Sequence, residues 1–462
     1  MKPIRLLFVI LSLLQLSLIA CDNDDSKEIR PSELVLLNVS PQAGTDCPVG
    51  TVEVAFEFNQ PVEILDTTKI TVNDIPVDYA YTVARILKAK VVLTQPGKVS
   101  FKIGEGAISV FHSSESNRSA YLTEFSIQEQ DTPGLHSPEA QRLLDYMRDN
   151  TGKKMLSGVC ACINWNQNEA MWVYKHTGKY PAINNFDFIH YEYSFPGGWI
   201  DYGNSTPALS WAENNGVVSA MWHWNQRANN GIDSSCTPGT APDQTSFSPS
   251  DIFDPESDGY KKMINDIDII AGWMKPLADA GIPILWRPLH EAQGNWDENL
   301  KDEWRKAWFW WGIDGPEACV EIWKVMYNRM VKHHGLTNLI WVCNIGSSKL
   351  WYPGDEYVDI VGFDFYNSSM DDMAYWYDYM HQNYPTKLCA ICECGNIPKI
   401  SEQWERGLYW NYFTPWWDNI RTQDMNADSF NSTDHASCSI DWWNDALGCE
   451  FIVTRDMLPS FR

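Results

Sequence analysis

The sequence predicts an α/β fold in which a (β/α)8 TIM barrel follows a small all-β, immunoglobulin-like sandwich. Apolar, β-favouring runs alternate with segments of helical period from residue 137 to residue 462, which is the pattern of a (β/α)8 barrel. Residues 33–128 instead contain short alternating runs separated by Pro, Gly, Asn and Asp, with no segment of helical period. A polar linker at 129–136 separates the two predicted domains.

The amino terminus predicts a lipoprotein signal peptide at residues 1–20. Lys2 and Arg5 precede an apolar run at 6–19 that is shorter than a membrane-spanning helix needs. The residues before Cys21 resemble a bacterial lipobox, and the acidic residues after it resemble the surface-export signal of Bacteroidetes lipoproteins. This resemblance implies lipidation of Cys21 and an outer-membrane anchor at the cell surface. The alternative is a periplasmic or secreted protein in which Cys21 only lies near the cleavage site.

Composition restricts the class of partner. An acidic linker is predicted at 21–32, and the formal net charge of −25 argues against nucleic acid and anionic membrane surfaces as ligands. The 23 Trp and 20 Tyr favour carbohydrate only weakly, because aromatic rings stack on sugars but also pack in cores. A monomer without cofactor is predicted.

The cysteines do not predict a zinc site. Twelve are present, and six of them lie in or beside apolar strands, where Cys usually behaves as a small buried hydrophobic residue: Cys160, Cys162, Cys343, Cys389, Cys392 and Cys394. The C-x-C pairs at 160–162 and 392–394 lack the spacing of structural zinc sites.

The eight barrel strands are predicted in order along the chain. They lie at 155–161, 181–187, 217–224, 282–291, 339–344, 360–366, 388–395 and 410–417. A helix that begins after Ser137 and Pro138 precedes the first strand, and helices at 260–280 and 316–334 carry apolar residues on one face. A doubly wound sheet is the alternative, but no glycine-rich phosphate loop follows the first strand.

Two of these strands end in a glutamate. Glu291 ends the fourth predicted strand and Glu393 ends the seventh. Because ligands of a barrel bind at the carboxyl ends of its strands, both carboxyls are expected to face one pocket. Hydrolysis of a glycosidic bond requires one acid that protonates the leaving oxygen and one carboxylate that handles the anomeric carbon. The alternative for either residue is a carboxylate that caps the following helix or loop.

Several motifs of residues 137–462 resemble glycoside hydrolase family 26. These are Trp-Arg-Pro-Leu-His-Glu at 286–291, Trp-Phe-Trp-Trp-Gly at 308–312, Gly-Pro-Glu at 315–317, Leu-Ile-Trp-Val at 339–342, Gly-Phe-Asp-Phe-Tyr at 362–366 and Cys-Glu-Cys-Gly at 392–395. The resemblance implies a retaining endo-β-1,4-mannanase that acts on mannan and manno-oligosaccharides without metal. A β-glucanase, a β-1,3-xylanase and an exo-acting mannobiohydrolase remain alternatives within the family. A surface glycan-binding protein is the alternative that is not an enzyme.

The resemblance also implies roles for individual residues. Glu291 resembles the general acid/base and Glu393 the nucleophile, while His223 and His290 resemble two histidines of the cleavage subsite. Tyr366 resembles the tyrosine that hydrogen bonds to the nucleophile. The alternative for each histidine is a core residue satisfied by the backbone.

The role of Arg287 is predicted from its charge rather than from the resemblance. A cation near a carboxylate lowers the carboxylate pKa, so Arg287 is expected to keep Glu393 ionised. The alternative is that Arg287 only braces the barrel. Asp364 is expected to make scaffold hydrogen bonds.

Tryptophans supply the predicted sugar-stacking surfaces. Trp308, Trp310 and Trp311 cannot all face the cleft from one extended segment, and Trp308 and Trp311 are assigned to substrate. Trp416 resembles the residue beneath the sugar at the cleavage subsite, with Trp417 as its alternative. Trp165 and Trp172 are candidates for distant subsites, and core packing is the alternative for both.

The chain departs from the family pattern at 296–307. This segment intervenes between Glu291 and the tryptophan motif, which in relatives follows more closely. It is interpreted as a loop that reshapes the leaving-group side of the cleft, or as a surface helix.

Overall fold

The computed structural model describes residues 34–48, 50–77, 79–93, 97–113, 116–128, 136–193, 198–297 and 307–462. The predicted signal peptide, Cys21, the acidic linker, most of the 129–136 linker and most of the 296–307 segment lie outside the described residues. The chain divides into two compact units, and Gln128–Arg462 belongs to the second.

The first unit is built from short β-strands. A four-stranded sheet contains, in spatial order, Leu36–Ser40, Gly50–Phe58, Ile86–Leu93 and Ala80–Val83, and a five-stranded sheet contains Asp46–Pro48, Tyr121–Gln128, Gly97–Ile103, Ile70–Val72 and Ile75–Pro76. Val62–Ile64 pairs with Ile108–Val110, and Thr67–Lys69 is a 3-10 turn. The alternating residues Val54, Phe56 and Phe58 are buried, as expected for a strand with one face toward a core.

The second unit contains eight parallel strands that close into a barrel, as predicted. They are β1 (Met155–Cys160), β2 (Ile183–Asp187), β3 (Val217–Met221), β4 (Ile284–Arg287), β5 (Leu339–Asn344), β6 (Ile360–Tyr366), β7 (Leu388–Gly395) and β8 (Tyr412–Pro415). Each strand pairs with the next, and β1 pairs with both β2 and β8. Strands β3 and β4 end earlier than predicted, so His223 and Glu291 lie in the loops that follow them.

Helices connect most of the barrel strands. They are α1 (Pro138–Asn150), α2 (Asn168–Thr177), α3 (Thr206–Glu213), α4 (Asp258–Asp279), α5 (Pro316–Tyr327), α6 (Met370–Asn383), α7 (Ile400–Glu405) and α8 (Ile440–Gly448). The predicted helix at 316–334 continues beyond α5 as a π-helix, Asn328–His333. The connection from β5 to β6 contains only the 3-10 turns Lys349–Trp351 and Asp355–Tyr357.

Shorter elements decorate the loops. Gln226–Arg227 pairs with Ser234–Ser235, and Ile452–Val453 pairs with β1. The remaining 3-10 turns are Tyr191–Tyr193, Pro249–Phe253, Trp310–Gly312, Asp428–Asn431 and Arg455–Met457.

The barrel is covered at the amino-terminal ends of its strands and open at their carboxyl ends. Leu143 and Leu144 of α1 belong to one buried cluster with the strand residues Leu285, Ile340 and Ile360. Helix α1 therefore covers the amino-terminal end, and side chains at the opposite end remain free to form a site. All cysteines of the described residues are free thiols. No helix within the described ranges is both long enough and apolar enough to cross a membrane.

Candidate active site

Glu393 is a buried carboxylate held at both of its oxygens. It lies on β7 and is 4% exposed. Nη1 of Arg287, at the end of β4, donates to Glu393 Oε1 over 2.7 Å. The hydroxyl of Tyr366, at the end of β6, donates to Glu393 Oε2 over 2.8 Å. Burial and the charge of Glu393 raise the pKa of Tyr366, so this hydroxyl keeps its proton and remains a donor.

Arg287 joins two carboxyl groups. Its Nη2 contacts Asp364 Oδ2 while its Nη1 contacts Glu393, and the guanidinium is buried. Two ion pairs on one planar guanidinium fix the orientation of both carboxyls. Burial raises the pKa of Asp364 despite the neighbouring guanidinium, and the negative charges of Glu393 and Glu291 act in the same direction. Asp364, expected to make scaffold hydrogen bonds, is therefore part of the same charged cluster.

Glu291 is presented by a backbone turn. Leu289 and Glu291 have φ of 49° and 50°, in the left-handed region that residues with a Cβ seldom adopt. The backbone N–H of Glu291 donates to Oδ1 of Asn344, the last residue of β5, over 2.8 Å. Backbone strain of this kind persists where surrounding contacts hold it, and it is frequent at active sites.

The carboxyl of Glu291 is electrostatically different from that of Glu393. Burial raises the pKa of Glu291, and the negative charge of Glu393 raises it further. Glu291 also shares a hydrogen bond with Asp364, so one of these two carboxyls carries a proton. Arg287 pairs with Asp364 and Glu393, whereas the hydrogen bond between Glu291 and Asp364 lowers the pKa of Glu291 and raises the pKa of Asp364.

The three carboxyl groups are close together. One oxygen each of Glu291, Asp364 and Glu393 lies within 4.8 Å of the others. Three carboxylates at such distances also suit a divalent cation. Here the guanidinium of Arg287 already pairs with two of them, so much of the charge that would attract a metal is neutralised.

A histidine pair lies beside the carboxyls. His223 Nδ1 lies 2.6 Å from Asp187 Oδ2, and His223 Nε2 lies 3.0 Å from His290 Nε2. Although burial opposes it, the charge and hydrogen bond of Asp187 raise the pKa of His223. Burial, followed by the positive charges of His223 and Arg287, lowers the pKa of His290 well below its usual value. The ring of His223 is thus disposed to carry a positive charge, and the ring of His290 is disposed to stay neutral.

The tryptophan motif divides between cleft and core. Trp308 is 47% exposed, whereas Trp310 and Trp311 are fully buried. Trp311 Nε1 donates to the backbone oxygen of His290 over 3.0 Å, and Phe309 packs 5.2 Å from the His290 ring. The prediction that Trp311 contacts substrate is therefore wrong. The buried indole supports the loop that carries His290.

The remaining tryptophan candidates also separate. Trp416 is half-buried at the end of β8, and its ring centroid lies 5.9 Å from that of His223. Its alternative, Trp417, is buried. Trp165 packs against Phe186 and other rings, and Trp172 is fully buried, so core packing accounts for Trp172.

Sequence reasoning missed Asp187 and Asn344. Each is the last residue of its strand, β2 and β5, and each hydrogen bonds to a predicted site residue. The signal that identified Glu393, a polar residue at the carboxyl end of an apolar strand, is present at both positions. Phe309 packs against the ring of His290 but does not lie at the end of a barrel strand, so this signal could not identify it.

Comparisons with known proteins identify a family and several relatives. Residues 135–437 match the model of the family described as Glycosyl hydrolase family 26. A mannan endo-1,4-beta-mannosidase of Thermothelomyces thermophilus is 33% identical over 332 residues, which are 70% of this chain and 62% of that protein. A mannan endo-1,4-beta-mannosidase A of Piromyces is 32% identical, covering 70% of this chain and 50% of that protein. The chain thus spans less than two thirds of the length of these relatives.

A solved structure matches more completely. The GH26 domain of an endo-beta-mannanase/endo-beta-glucanase from Prevotella bryantii is 32% identical with a TM-score of 0.61, covering 70% of this chain and 99% of that domain. A beta-mannanase from a symbiotic protist of the termite Reticulitermes speratus, solved with a gluco-manno-oligosaccharide, is 26% identical with a TM-score of 0.57 and covers 70% of this chain and 96% of that one.

Proposed function

The chain belongs to glycosyl hydrolase family 26, and from this membership we propose that it is a retaining endo-β-1,4-mannanase. The observation that carries the proposal is the pairing of a buried, doubly held carboxylate, Glu393, with a carboxyl of raised pKa, Glu291, across a short gap. The relatives named as mannan endo-1,4-beta-mannosidases support mannan as substrate.

The spacing of the two carboxyls supports retention of configuration. Retaining enzymes place them about 5–5.5 Å apart, whereas inverting enzymes leave about 6.5–9.5 Å for an attacking water. One oxygen of Glu291 and one of Glu393 lie within 4.8 Å of each other, which is closer than the separation that inverting enzymes use.

In the first step Glu393 attacks the anomeric carbon, and Glu291 donates its proton to the leaving glycosidic oxygen. A covalent glycosyl–Glu393 ester forms as the glycosidic bond breaks. In the second step Glu291, now ionised, takes a proton from a water molecule. That water attacks the anomeric carbon, the ester bond breaks, and Glu393 is released as carboxylate.

The neighbouring groups support these steps. Arg287 and Tyr366 each hydrogen bond to one oxygen of Glu393 and so orient this carboxyl for attack. His223, Asp187 and His290 form a hydrogen-bonded chain that holds polar groups beside the reacting sugar. Trp308 and Trp416 offer ring faces on which sugars stack on either side of the scissile bond.

Substrate preference is tested by comparing purified mannan, mixed-linkage β-glucan and β-1,3-xylan in reducing-sugar assays, with Glu393→Ala as the control. We expect mannan to be cleaved fastest and the variant to be inactive. The Prevotella relative is named for both mannanase and glucanase activity, so glucan is the second substrate to examine. Equal signals from wild type and variant would support the glycan-binding alternative. Faster cleavage of glucan or xylan than of mannan would show that mannan is not the preferred substrate.

Mode of attack and stereochemistry need separate measurements. Early products from long manno-oligosaccharides are expected to vary in length, because an endo-acting enzyme cuts internally. Exclusive release of mannobiose would instead indicate an exo-acting mannobiohydrolase. Proton NMR of the first product should show the β-anomer, and an initial α-anomer would exclude the retaining mechanism.

The amino-terminal part is proposed to hold the enzyme at the outer membrane. Its two sheets of antiparallel strands support an immunoglobulin-like sandwich at 33–128. This sandwich would act as a spacer, and a lipid on Cys21 would be the anchor. Cys21→Ala is expected to release the protein from the membrane fraction and abolish palmitate labelling. Unchanged fractionation would contradict the anchor.

Gel filtration of the protein without its signal peptide is expected to give a monomer.

A further inference from the structure

Glu169 and His435 form a buried pair that the proposed mechanism does not use. Glu169 lies in the first turn of α2, and His435 lies in the loop that precedes α8. Glu169 Oε1 is 2.7 Å from His435 Nε2, and the two side chains are 1% and 0% exposed. A carboxylate is tolerated inside a protein only where its oxygens have hydrogen-bond partners, so the partners of Glu169 define the segments that it holds in place.

The position of the proton on His435 follows from its backbone contacts. Its Nδ1 accepts from the backbone N–H groups of Ser437 and Cys438, each over 3.1 Å. A ring nitrogen that accepts carries no proton, so the proton of the neutral ring is on Nε2 and is donated to Glu169. Both ring nitrogens are therefore engaged within the protein, and the histidine acts through the segments to which it is bonded.

The second oxygen of Glu169 holds the loop that follows β8. Glu169 Oε2 accepts from the backbone N–H of Asp418 over 3.2 Å. Two residues before Asp418, the backbone N–H of Trp416 donates to the backbone oxygen of Cys394 on β7 over 2.8 Å. The backbone around Trp416 is thus held on one side by β7 and on the other by Glu169.

The loop before α8 completes the network beside the nucleophile. Asp418 Oδ2 accepts from the backbone N–H of Ala436 over 2.8 Å. The backbone oxygen of Ser437 accepts from the backbone N–H of Asn396, three residues beyond Glu393, over 2.7 Å. The buried pair therefore joins the loop after β8 to the chain that follows the nucleophile.

We propose that Glu169 and His435 are positioning residues that fix Trp416 relative to the nucleophile Glu393. Trp416 is one of the two rings on which sugars are proposed to stack, so this inference rests on the proposed mannanase function. Glu169 and His435 act through the backbone and do not touch the sugar, because both side chains are buried and hydrogen bonded. Misplacing a group that orients the substrate by about 1 Å can lower the rate roughly 100-fold, so a pair outside the cleft can control catalysis.

A double-mutant cycle separates positioning from a purely structural role. Glu169→Gln keeps the size of the side chain, but its amide nitrogen faces either the Asp418 N–H or the His435 Nε2–H, both of which are donors. We expect kcat/KM on manno-oligosaccharides, measured well below the melting temperature, to fall at least about tenfold. In a Trp416→Ala background the same change should cost less than about twofold, since both changes act through one ring. Losses that multiply in the double variant would overturn the inference.

Asp359→Asn is the matched control. Asp359 Oδ1 is 2.9 Å from His136 Nε2 and its Oδ2 accepts from the backbone N–H of Trp341 over 2.8 Å, which repeats the arrangement of Glu169 at the start of β6. This variant should lower the melting temperature and leave kcat/KM unchanged. A loss of kcat/KM equal to that of Glu169→Gln would show a general effect of lost stability and would also overturn the inference.

Two substitutions of His435 test the pair from its other member. His435→Asn keeps an acceptor near the place of Nδ1 but cannot reach Glu169, whereas His435→Gln places an amide nitrogen near the place of Nε2 and can. His435→Gln should therefore retain the higher kcat/KM, and the reverse order would assign the effect to the turn at Ser437 and refute the pair. Inactivity of wild type on every manno-oligosaccharide would instead refute the mannanase function, whereas an active wild type matched by Glu169→Gln would refute only the positioning role.

Discussion

Nη1 of Arg287 lies 2.7 Å from Oε1 of Glu393, and the same buried guanidinium contacts Asp364. Arg287→Met keeps much of the side-chain volume but leaves two buried carboxyls without their cation. We expect a loss of about 3–5 kcal/mol in the free energy of unfolding, since breaking a buried ion pair strands an uncompensated charge. Chemical denaturation measures this loss. Arg287→Lys, which keeps the charge without the bidentate geometry, should lose less, and an Arg287→Met variant as stable as wild type would contradict the ion-pair role.

Tyr366→Phe is expected to affect catalysis rather than stability. The change removes the hydroxyl that donates to Glu393 Oε2 but keeps the ring, which is partly exposed. A hydrogen bond to a charged group contributes about 1.5–3 kcal/mol, so kcat should fall roughly 10–150-fold while the melting temperature changes little. Steady-state kinetics on mannan and thermal melting together measure both quantities. A normal kcat would show that Arg287 alone suffices to orient the nucleophile.

The contrast between Arg287 and Trp311 shows what the sequence can and cannot predict. Parallel strands with polar ends predicted the barrel, and the ends of β4, β6 and β7 placed Arg287, Tyr366 and Glu393 in one pocket. Strand periodicity works there because each inward side chain is fixed by its register. Trp311 follows a loop, and whether its ring faces sugar or core depends on long-range packing against the His290 segment, which local sequence does not encode.

The same limit explains the turn at Glu291. The apolar run was predicted to end at Glu291, but β4 ends at Arg287 and the chain turns through two residues of positive φ. No glycine marks that turn, so its sequence carries no signal of the left-handed backbone. The contact of the Glu291 backbone N–H with Asn344 holds it, and that partner lies on another strand.

Asp187→Asn is expected to change the titration of His223. Asp187 Oδ2 lies 2.6 Å from His223 Nδ1, and its charge raises the pKa of that histidine. The neutral amide removes this stabilisation of the imidazolium, so the His223 pKa should fall below its wild-type value. Proton–nitrogen NMR of the histidine side chains as a function of pH measures the shift. An unchanged His223 pKa would show that other charges, among them Glu393, set it.

Glu291→Ala should impair catalysis selectively, according to the leaving group. Without a proton donor, mannan hydrolysis is expected to fall by about 10²–10⁴-fold, because the sugar alkoxide is a poor leaving group. Aryl β-mannosides with acidic phenols need little protonation, so their glycosylation step should be far less affected. Pre-steady-state release of the phenol measures that step. Similar losses on both substrates would mean that Glu291 is not the acid.

The raised pKa of Glu291 makes a prediction about stability as well. The pKa of Glu291 is higher in the folded protein than the usual value of about 4.3 in the unfolded chain. The contribution of Glu291 to the free energy of unfolding is therefore fully present below about pH 4, and it is lost as the pH rises through the folded-state pKa. Ionised Glu291 therefore destabilises the fold at neutral and alkaline pH. Glu291→Gln has no titratable group at this position, so its melting temperature should exceed that of wild type at about pH 8 and differ less at about pH 4.

Differential scanning calorimetry at the two pH values measures this difference for the wild type and the variant. Glu405→Gln, at an exposed position on α7, is the matched control and is expected to change the melting temperature little at either pH. A melting-temperature difference for Glu291→Gln that stays constant with pH, or that grows toward acid, would show that Glu291 is not held in a destabilising ionised state. In that case the acid role would need a different carboxyl, and Asp364, which shares its hydrogen bond, would be the next to replace.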